Sequence, residues 1–215
     1  MKAELIWATP DTDGVIGYCA RVSNPENQNN PEVERLLRYC AKHGHWSIFE
    51  MGSACIEINT TRDIGRQILR HRSFSFQELS QRYKDVSDEM MNAPIRECRM
   101  QDTVNRQNSL LCDDPVIADR WAKLQREVYD YANAYYRSAI AAGIAKEVAR
   151  TLLPEGLTPT RMYMTGSMRS WGHYLKQRLH ESTQKEHRQI AQAVARILRQ
   201  VAPLTINAII GDSDG

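Results

Sequence analysis

The longest regular pattern in the sequence is an apolar stripe within residues 113–143. Its members recur every three or four positions, which lines one face of an α-helix. They are Ile117, Trp121, Leu124, Val128, Tyr131 and Tyr135. Asp113-Asp114-Pro115 is typical of a helix start, and Gly143 of a helix end. The pattern therefore predicts one long helix whose apolar face is either core or a subunit interface.

Shorter patterns predict both strands and helices elsewhere in the chain. Alternating residues predict strands over 2–8, 51–60 and 161–165. Helical spacing predicts helices over 31–44, 62–70, 144–152, 167–179 and 184–201, with Ser167 as a cap. Turn-forming residues predict mostly loop over 9–31 and 73–112. The mixture predicts a single α+β domain over residues 1–215, with a mixed or antiparallel sheet flanked by long helices.

Composition is that of an ordinary globular protein. Of the 215 residues, 42% are hydrophobic and 25% are charged. No apolar run reaches the roughly 18 residues that a membrane span needs. The net charge of +2 does not favour non-specific attraction to nucleic acid. The five cysteines lack the spacing of a zinc knuckle or a disulfide framework, so we expect a cytoplasmic protein. From the short apolar runs and the low net charge we expect neither a membrane nor a nucleic-acid partner.

Functional groups are densest between Arg70 and Tyr83. Arginine and histidine at a helix C-terminus would complement the helix dipole, which explains residues 70–72 but not Ser80-x-Arg82. Arginine forks on either side of a serine-rich turn are typical of a phosphate site, because hydroxyl and backbone N–H groups add bonds to the phosphate oxygens. The cluster therefore favours a phosphate site.

Other common chemistries lack their signatures in this sequence. There is no glycine-rich dinucleotide fingerprint and no P-loop. None of the cysteines lies beside a histidine or arginine in a way that indicates a low-pKa thiolate. His43 and His45, even with Glu50, form an incomplete ligand set, so no metal is predicted.

The segment from Arg70 to Tyr83 resembles the signature of the flavin-dependent thymidylate synthases. Arg70-His71-Arg72 is followed by Gln77-Glu78-Leu79-Ser80-Gln81-Arg82-Tyr83, which is similar to the family's [Asn/Gln]-Glu-x-Ser-x-Arg-Tyr. Further blocks resemble the family in the same order, at His45–Glu50, Glu147–Pro154, Ser167–His173 and Arg178 with Gln184–Ala191. In the last block, Gln184-Lys185-Glu186-His187-Arg188 is similar to Gln-x-Glu-Ile-Arg. The likeness covers about residues 40–195. Ser167 replaces the family's usual Asn, and the turn over 154–161 is one residue longer than we expect for the family.

The resemblance implies an enzyme that methylates dUMP to dTMP. Methylenetetrahydrofolate would supply the carbon and NADPH the electrons, which a tightly bound FAD would carry. Hydride would pass from flavin N5 to uracil C6, without a cysteine nucleophile. A homotetramer whose active sites draw residues from several subunits is also implied.

The resemblance also implies a role for each matching residue. The dUMP set is Gln67, Arg70, Glu78, Leu79, Ser80, Gln81, Arg82, Arg150 and Arg178. The FAD set is Ser47, Arg70, His71, Arg72, Glu78, Ser167, Met168, Arg169 and His173, and His45 would line the folate side. Arg178 would be catalytic, because a fixed guanidinium beside N3 and O4 of uracil stabilises the charge that develops there.

Helical geometry adds a constraint to this assignment. Arg169 and His173 are four residues apart and share a helix face. Arg178 is nine residues after Arg169, so it lies near the opposite side. We therefore expect that no single compact ligand touches all three from one straight helix.

Two other interpretations fit parts of the sequence. The first is a non-enzymatic, arginine-rich nucleotide- or RNA-binding domain that stacks bases on Trp171 and Tyr174. The second is a structural helical oligomer built on the 115–142 stripe. A bound flavin would distinguish the enzyme from both.

Overall fold

The fold combines a four-stranded sheet, a small hairpin and nine helices among the described residues, which are 1–91 and 93–212 of a computed structural model. The strands are β1 (Lys2–Ala8), β2 (Ser53–Thr61), β3 (Ser75–Glu78), β4 (Arg99–Gln101), β5 (Ser109–Leu111) and β6 (Pro159–Ser167). The helices are α1 (Thr12–Ala20), α2 (Glu34–Lys42), α3 (Arg62–Ile68), α4 (Ser87–Met91), α5 (Pro115–Ala141), α6 (Lys146–Ala149), α7 (Met168–Arg178), α8 (Lys185–Val201) and α9 (Pro203–Ile210). The predicted α+β class is confirmed.

The sheet has the strand order β1-β2-β6-β3 and is antiparallel. The N–H of Met168 donates to the carbonyl of Gly52, and the N–H of Arg62 donates to the carbonyl of Thr158. Each bond joins the end of one strand to the start of the other, which is the antiparallel arrangement. Strands β4 and β5 form the separate hairpin.

The chain forms two compact units. The first comprises Met1–Ile58, Leu69–Gln77 and the chain from Met162 onward. In it α2, α7 and α8 all pack on α9, and fully buried side chains such as Trp171, Leu37 and Ile206 fill the core. The buried carboxylate of Asp13 accepts hydrogen bonds from the N–H groups of Leu204 and Thr205, which satisfies two donors at the start of α9.

The second unit comprises Asn59–Ile68 and Glu78–Arg161. The long helix α5 dominates it, with Tyr136 and Ala139 packed against Val86 and Ala149. Asp114 caps α5 by accepting from the N–H groups of Val116 and Ile117. None of the helices in the described ranges is both long and apolar enough to cross a membrane.

The apolar stripe of α5 does not face the core of this chain. Its six members are between 40% and 65% exposed. The buried residues of α5 are instead Gln125, Tyr129, Tyr136 and Ala139. The core interpretation is therefore wrong, and the subunit interface stays a prediction.

Several predicted loops contain regular structure. Residues 9–31 include α1, and residues 73–112 include β3, α4 and the β4–β5 hairpin. The helix predicted from Pro31 begins only at Glu34, and the one predicted over 144–152 is α6 followed by a 3-10 turn. The helix α9, which begins at Pro203, was not predicted. Two parts of these predictions lie outside the described residues, namely Asn92 of the predicted loop and residues 213–215 of the predicted domain. The assignment of residues 1–215 to a single domain stays a prediction.

Candidate active site

Helix α7 places the predicted site residues on two different faces. Nη1 of Arg169 lies 2.9 Å from Oε1 of Glu50, and the ring of His173 lies 4.6 Å from the ring of Trp46. Arg178, at the end of the same helix, instead contacts His71. The three residues thus contact different neighbours, and the expectation that no single compact ligand touches all of them stays a prediction.

Arg178 is held by a neutral histidine. Its Nε donates to Nε2 of His71 over 2.9 Å, so Nε2 carries no proton. Burial, followed by the positive charge of Arg178, lowers the pKa of His71 to about 4. Burial also lowers the pKa of Arg178, but a guanidinium stays charged at physiological pH. The pair therefore presents one oriented positive charge.

A buried aromatic layer lies behind this pair. The ring of Tyr174 lies 5.0 Å from that of His71, and the ring of His187 lies 5.7 Å from that of Tyr174. Both side chains are almost completely buried. Burial lowers the pKa of His187 to about 3, with Arg178 and His71 adding to the shift, and burial raises the pKa of Tyr174. His187 stands where the family pattern has isoleucine, and sequence reasoning assigned it no role.

This layer predicts a pH-dependent stability. Because the pKa values of His71 and His187 are lowered on folding, the unfolded chain binds more protons below about pH 6.5. The contribution of these two neutral histidines to the free energy of unfolding is therefore complete above that pH. It is lost as the pH falls toward about 4 for His71 and about 3 for His187. We expect His187→Ile to make the decline of the melting temperature with pH shallower. The exposed His180, changed to Ala, is the control. Parallel pH profiles for His187→Ile, His180→Ala and the unmodified protein would contradict the prediction.

The predicted FAD residues near the start of α7 form a polar surface. Ser167 caps the helix by accepting from the N–H of Ser170. A hydrogen bond from Ser167, followed by the interactions with Arg169, lowers the pKa of Glu50 although burial opposes the shift. Ser47 is exposed beside Glu50 in the same 3-10 turn. Hydroxyl, guanidinium and imidazole groups are a suitable donor set for a nucleotide cofactor.

The ring of Trp46 lies beside two residues of α7, His173 and Lys176. Nζ of Lys176 lies 4.7 Å from the centre of the Trp46 ring, and His173 packs against the same residue. Burial, then the charges of Arg169 and Lys176, lowers the pKa of His173. The side chain of Met168 is fully buried, so it faces the core. Trp46 and Lys176 were not predicted, and no local pattern singles them out.

Arg70 and Arg72 add exposed positive charge. Within the described chain, neither guanidinium has a hydrogen-bonded or ion-pair partner in the structure, and the charge of Arg70 helps to lower the pKa of Arg178. His45 lies on an exposed turn, with its ring 5.8 Å from that of Tyr39. Arginines without carboxylates favour anion binding.

In the second unit, Glu78 and Leu79 are fixed by hydrogen bonds. Oε1 of Glu78 accepts from the hydroxyl of Thr160 over 2.8 Å and lies 3.8 Å from Nη1 of Arg62. Nη2 of Arg62 donates to the carbonyl of Leu79 over 3.0 Å. Burial lowers the pKa of Arg62, against the influence of Glu78. Sequence reasoning missed Arg62 and Thr160, which are distant from Glu78 in the chain.

Two predicted dUMP residues in this unit carry amides. Gln67 is half-buried on α3. Gln81 is 5% exposed, and its amide nitrogen has no acceptor within residues 1–91 and 93–212. A buried donor without a partner costs free energy, and a ligand oxygen would satisfy it.

Three cationic side chains of the same unit bond to one carboxylate or to backbone carbonyls near it in the chain. Nε of Arg82 lies 3.2 Å from Oε2 of Glu147. Nε of Arg150 donates to the Glu147 carbonyl over 3.3 Å, and Nζ of Lys146 donates to the Tyr83 carbonyl over 3.1 Å. The hydroxyl of Ser80 accepts from the N–H of Arg82. We call Ser80, Arg82, Lys146, Glu147 and Arg150 the cation cluster. Its excess positive charge suits a phosphate group.

The structure tests other features of the sequence interpretations. Trp171 and Tyr174, the proposed base-stacking groups of an RNA-binding domain, are 0% and 1% exposed. They cannot stack on a base without unfolding the core. In the described part of the chain, no three His, Cys, Asp or Glu side chains are grouped to hold a metal ion.

Comparison with known proteins gives a consistent result. A family model described as thymidylate synthase complementing protein matches residues 4–204. A flavin-dependent thymidylate synthase from Synechocystis is 48% identical over 197 residues, covering 92% of this chain and 89% of the relative. A probable flavin-dependent thymidylate synthase from Paramecium bursaria Chlorella virus 1 is 46% identical, covering 97% of this chain and 99% of the relative.

A solved structure resembles the fold over its full length. It is the UMP/dUMP methylase PolB from Streptomyces cacaoi, bound with 5-Br dUMP, and its TM-score is 0.81. The sequences are 25% identical, and the alignment covers 100% of this chain and 96% of that chain.

Proposed function

The chain belongs to the flavin-dependent thymidylate synthase family, and we propose that it converts dUMP to dTMP with FAD, methylenetetrahydrofolate and NADPH. The observation that carries the proposal is the pairing of Arg178 with a neutral His71. It gives one oriented cation of the kind that a developing negative charge on a uracil ring requires.

The residues near the start of α7 fit a flavin nucleotide. We propose that Ser47, Ser167, Met168, Arg169 and His173 hold FAD together with Arg70, His71, Arg72 and Glu78, and that His45 lines the folate side. The hydroxyl, guanidinium and imidazole donors support this assignment, and Met168, whose side chain is buried, would contribute its backbone. When bound, FAD supplies the hydride that reduces C6 of the pyrimidine.

Arg178 acts on the uracil ring in this proposal. Its guanidinium donates to the N3–O4 edge, where negative charge accumulates as C6 is reduced. His71 keeps the guanidinium aimed, and the buried Tyr174 and His187 restrict movement of the imidazole. Because the charge and its direction exist before substrate binds, little reorganisation is needed during the reaction.

The cation cluster holds the substrate phosphate in this proposal. Arg82 and Arg150 supply fork-shaped donors, and Ser80 supplies a hydroxyl. Gln67, Arg70, Glu78, Leu79 and Gln81 complete the dUMP set together with Arg178. Lys146 adds a third cation that the sequence interpretation did not include. Glu147 orders Arg82 and must yield part of that contact when a phosphate arrives.

The properties of two cysteines support a reaction without a thiolate nucleophile. Burial raises the pKa of Cys40, and burial followed by the Cys112 thiol raises that of Cys98. A raised pKa disfavours the reactive thiolate. All five cysteines are free thiols, which also supports a reducing, cytoplasmic location.

We further propose that the whole chain, residues 1–215, works as one domain in a homotetramer with shared active sites. The exposed stripe of α5 supports the assembly, because patches of this composition are typical of subunit interfaces. The two faces of α7 support shared sites, since we expect that no single compact ligand contacts both.

The absorption spectrum of the purified protein tests the proposed function. We expect flavin absorption with stoichiometric FAD, a change in the flavin bands when dUMP is added, and dTMP formation once NADPH and methylenetetrahydrofolate are present. Deoxyuridine, which lacks the phosphate, is the matched control ligand. A colourless protein that FAD cannot reconstitute, or a flavoprotein that forms no dTMP, would overturn the proposal.

A further inference from the structure

The β4–β5 hairpin brings two cysteines to opposite positions. The antiparallel register pairs Arg99 with Leu111 and Gln101 with Ser109. One further step places Cys98 opposite Cys112, and the N–H of Cys112 donates to the carbonyl of Cys98 over 3.3 Å. In such a hydrogen-bonded pair the Cα atoms are about 5.5 Å apart and the side chains lie on one face. That separation is within the range that a disulfide accepts.

The two thiol groups lie close enough to influence each other. After burial, the Cys112 thiol is the next cause of the raised pKa of Cys98, and Sγ of Cys112 donates to the carbonyl of Asp114 over 3.5 Å. Both thiols are free and partly exposed, whereas Cys40 and Cys55 are buried. A small oxidant can therefore reach this pair without opening the core.

We propose that Cys98 and Cys112 are a modification site, at which a low-molecular-weight disulfide oxidises them reversibly to an intrachain disulfide. One cysteine, as its thiolate, attacks a sulfur of the small disulfide and releases one small thiol. The second cysteine then displaces the other small thiol and closes the Cys98–Cys112 bond. Overall, the protein loses two hydrogen atoms and two electrons, and one small disulfide becomes two small thiols.

The bond would close a loop immediately before helix α5. Asp114, two residues after Cys112, caps that helix. A disulfide restricts the unfolded chain more than the folded one. Oxidation should therefore raise the melting temperature. The raised pKa of Cys98 makes its thiolate scarce at neutral pH, so we expect slow oxidation.

Peptide mapping of the intact protein tests this site. The protein is equilibrated with oxidised glutathione, its remaining thiols are alkylated, and it is cleaved with trypsin without reduction. Trypsin cuts after Arg96, Arg99, Arg106 and Arg120, so the bond would join residues 97–99 to residues 107–120. We expect this linked pair as the main product, its loss on adding dithiothreitol, and a higher melting temperature for the oxidised form.

Three variants make the result specific. Cys98→Ser and Cys112→Ser should each abolish the linked pair and the rise in melting temperature. Cys19→Ser, which changes a partly exposed cysteine on α1, should leave both intact. Two alkylated peptides with no link, or separate glutathione adducts on Cys98 and Cys112, would overturn the proposal. The readout does not depend on FAD or on catalysis.

Discussion

Arg178→Ala is expected to lower dTMP formation about a hundredfold to a thousandfold while FAD reduction by NADPH largely persists. Loss of one preorganised donor to a developing negative charge has an effect of this size. Electron transfer from NADPH to FAD does not involve the uracil ring, so it does not need the Arg178 guanidinium. Single-turnover measurements of the two half-reactions separate these steps.

Two further variants make the Arg178 experiment decisive. Arg178→Lys keeps the charge but loses Nε and the fork, so it should recover only a small part of the rate. Arg35→Ala removes an exposed arginine of α2 and should leave both half-reactions unchanged. If Arg178→Ala slows both half-reactions equally, the residue organises the flavin instead of the pyrimidine.

Removing Arg82 and Arg150 together is expected to weaken dUMP binding about a hundredfold and deoxyuridine binding far less. A hydrogen bond to a charged group is worth about 1.5–3 kcal/mol, and each 1.4 kcal/mol is about tenfold in affinity. Arg82 is 57% exposed and already paired with Glu147. We therefore expect Arg82→Ala alone to weaken dUMP binding by only about 1.5 kcal/mol, the lower end of the range for such a hydrogen bond. Calorimetry with both ligands measures the difference.

The second unit offers a matched control for the phosphate experiment. Arg66 and Glu155 form a similarly exposed ion pair outside the cation cluster, with Nε 2.7 Å from Oε1. Arg66→Ala should not change dUMP binding. Glu147→Gln removes the carboxylate that competes with phosphate, so it should not weaken dUMP binding. Equal weakening of dUMP and deoxyuridine in the double variant would refute the phosphate assignment.

Local signals in the sequence predicted the parts of the fold that depend on neighbouring residues. Asp114 and Ser167 cap their helices as expected, because a cap needs only the next three residues. Gly143 adopts a positive φ of 82° just after α5, a conformation that glycine accepts readily. The family resemblance named Arg178 and His71, but their contact joins residues 107 positions apart and could not be read from spacing.

Helix α1 was missed for a tertiary reason. Its two glycines lower the helical propensity of the segment, which therefore predicted a loop. A Cβ at Gly17 would lie 2.2 Å from Cγ1 of Val33. The glycine thus lets the segment containing Val33 approach the helix closely, and that packing outweighs propensity.

The stripe on α5 shows a different limit of sequence patterns. Apolar spacing reports that one helix face avoids water, and it does so equally for a core and for a subunit contact. Tyr131 and Tyr135 are 65% and 62% exposed here. The three-dimensional structure therefore distinguishes the two cases, whereas the spacing does not.

The two-faced helix α7 has a genetic consequence if each catalytic centre is assembled from more than one copy of the chain. An allele lacking Arg178 and an allele lacking Arg169 would each produce an inactive enzyme. Expressed together, they would form mixed assemblies in which some centres receive an intact Arg178 from one polypeptide and an intact Arg169 from the other. A thymidine-requiring host carrying both alleles would then grow without thymidine, although neither allele alone supports growth.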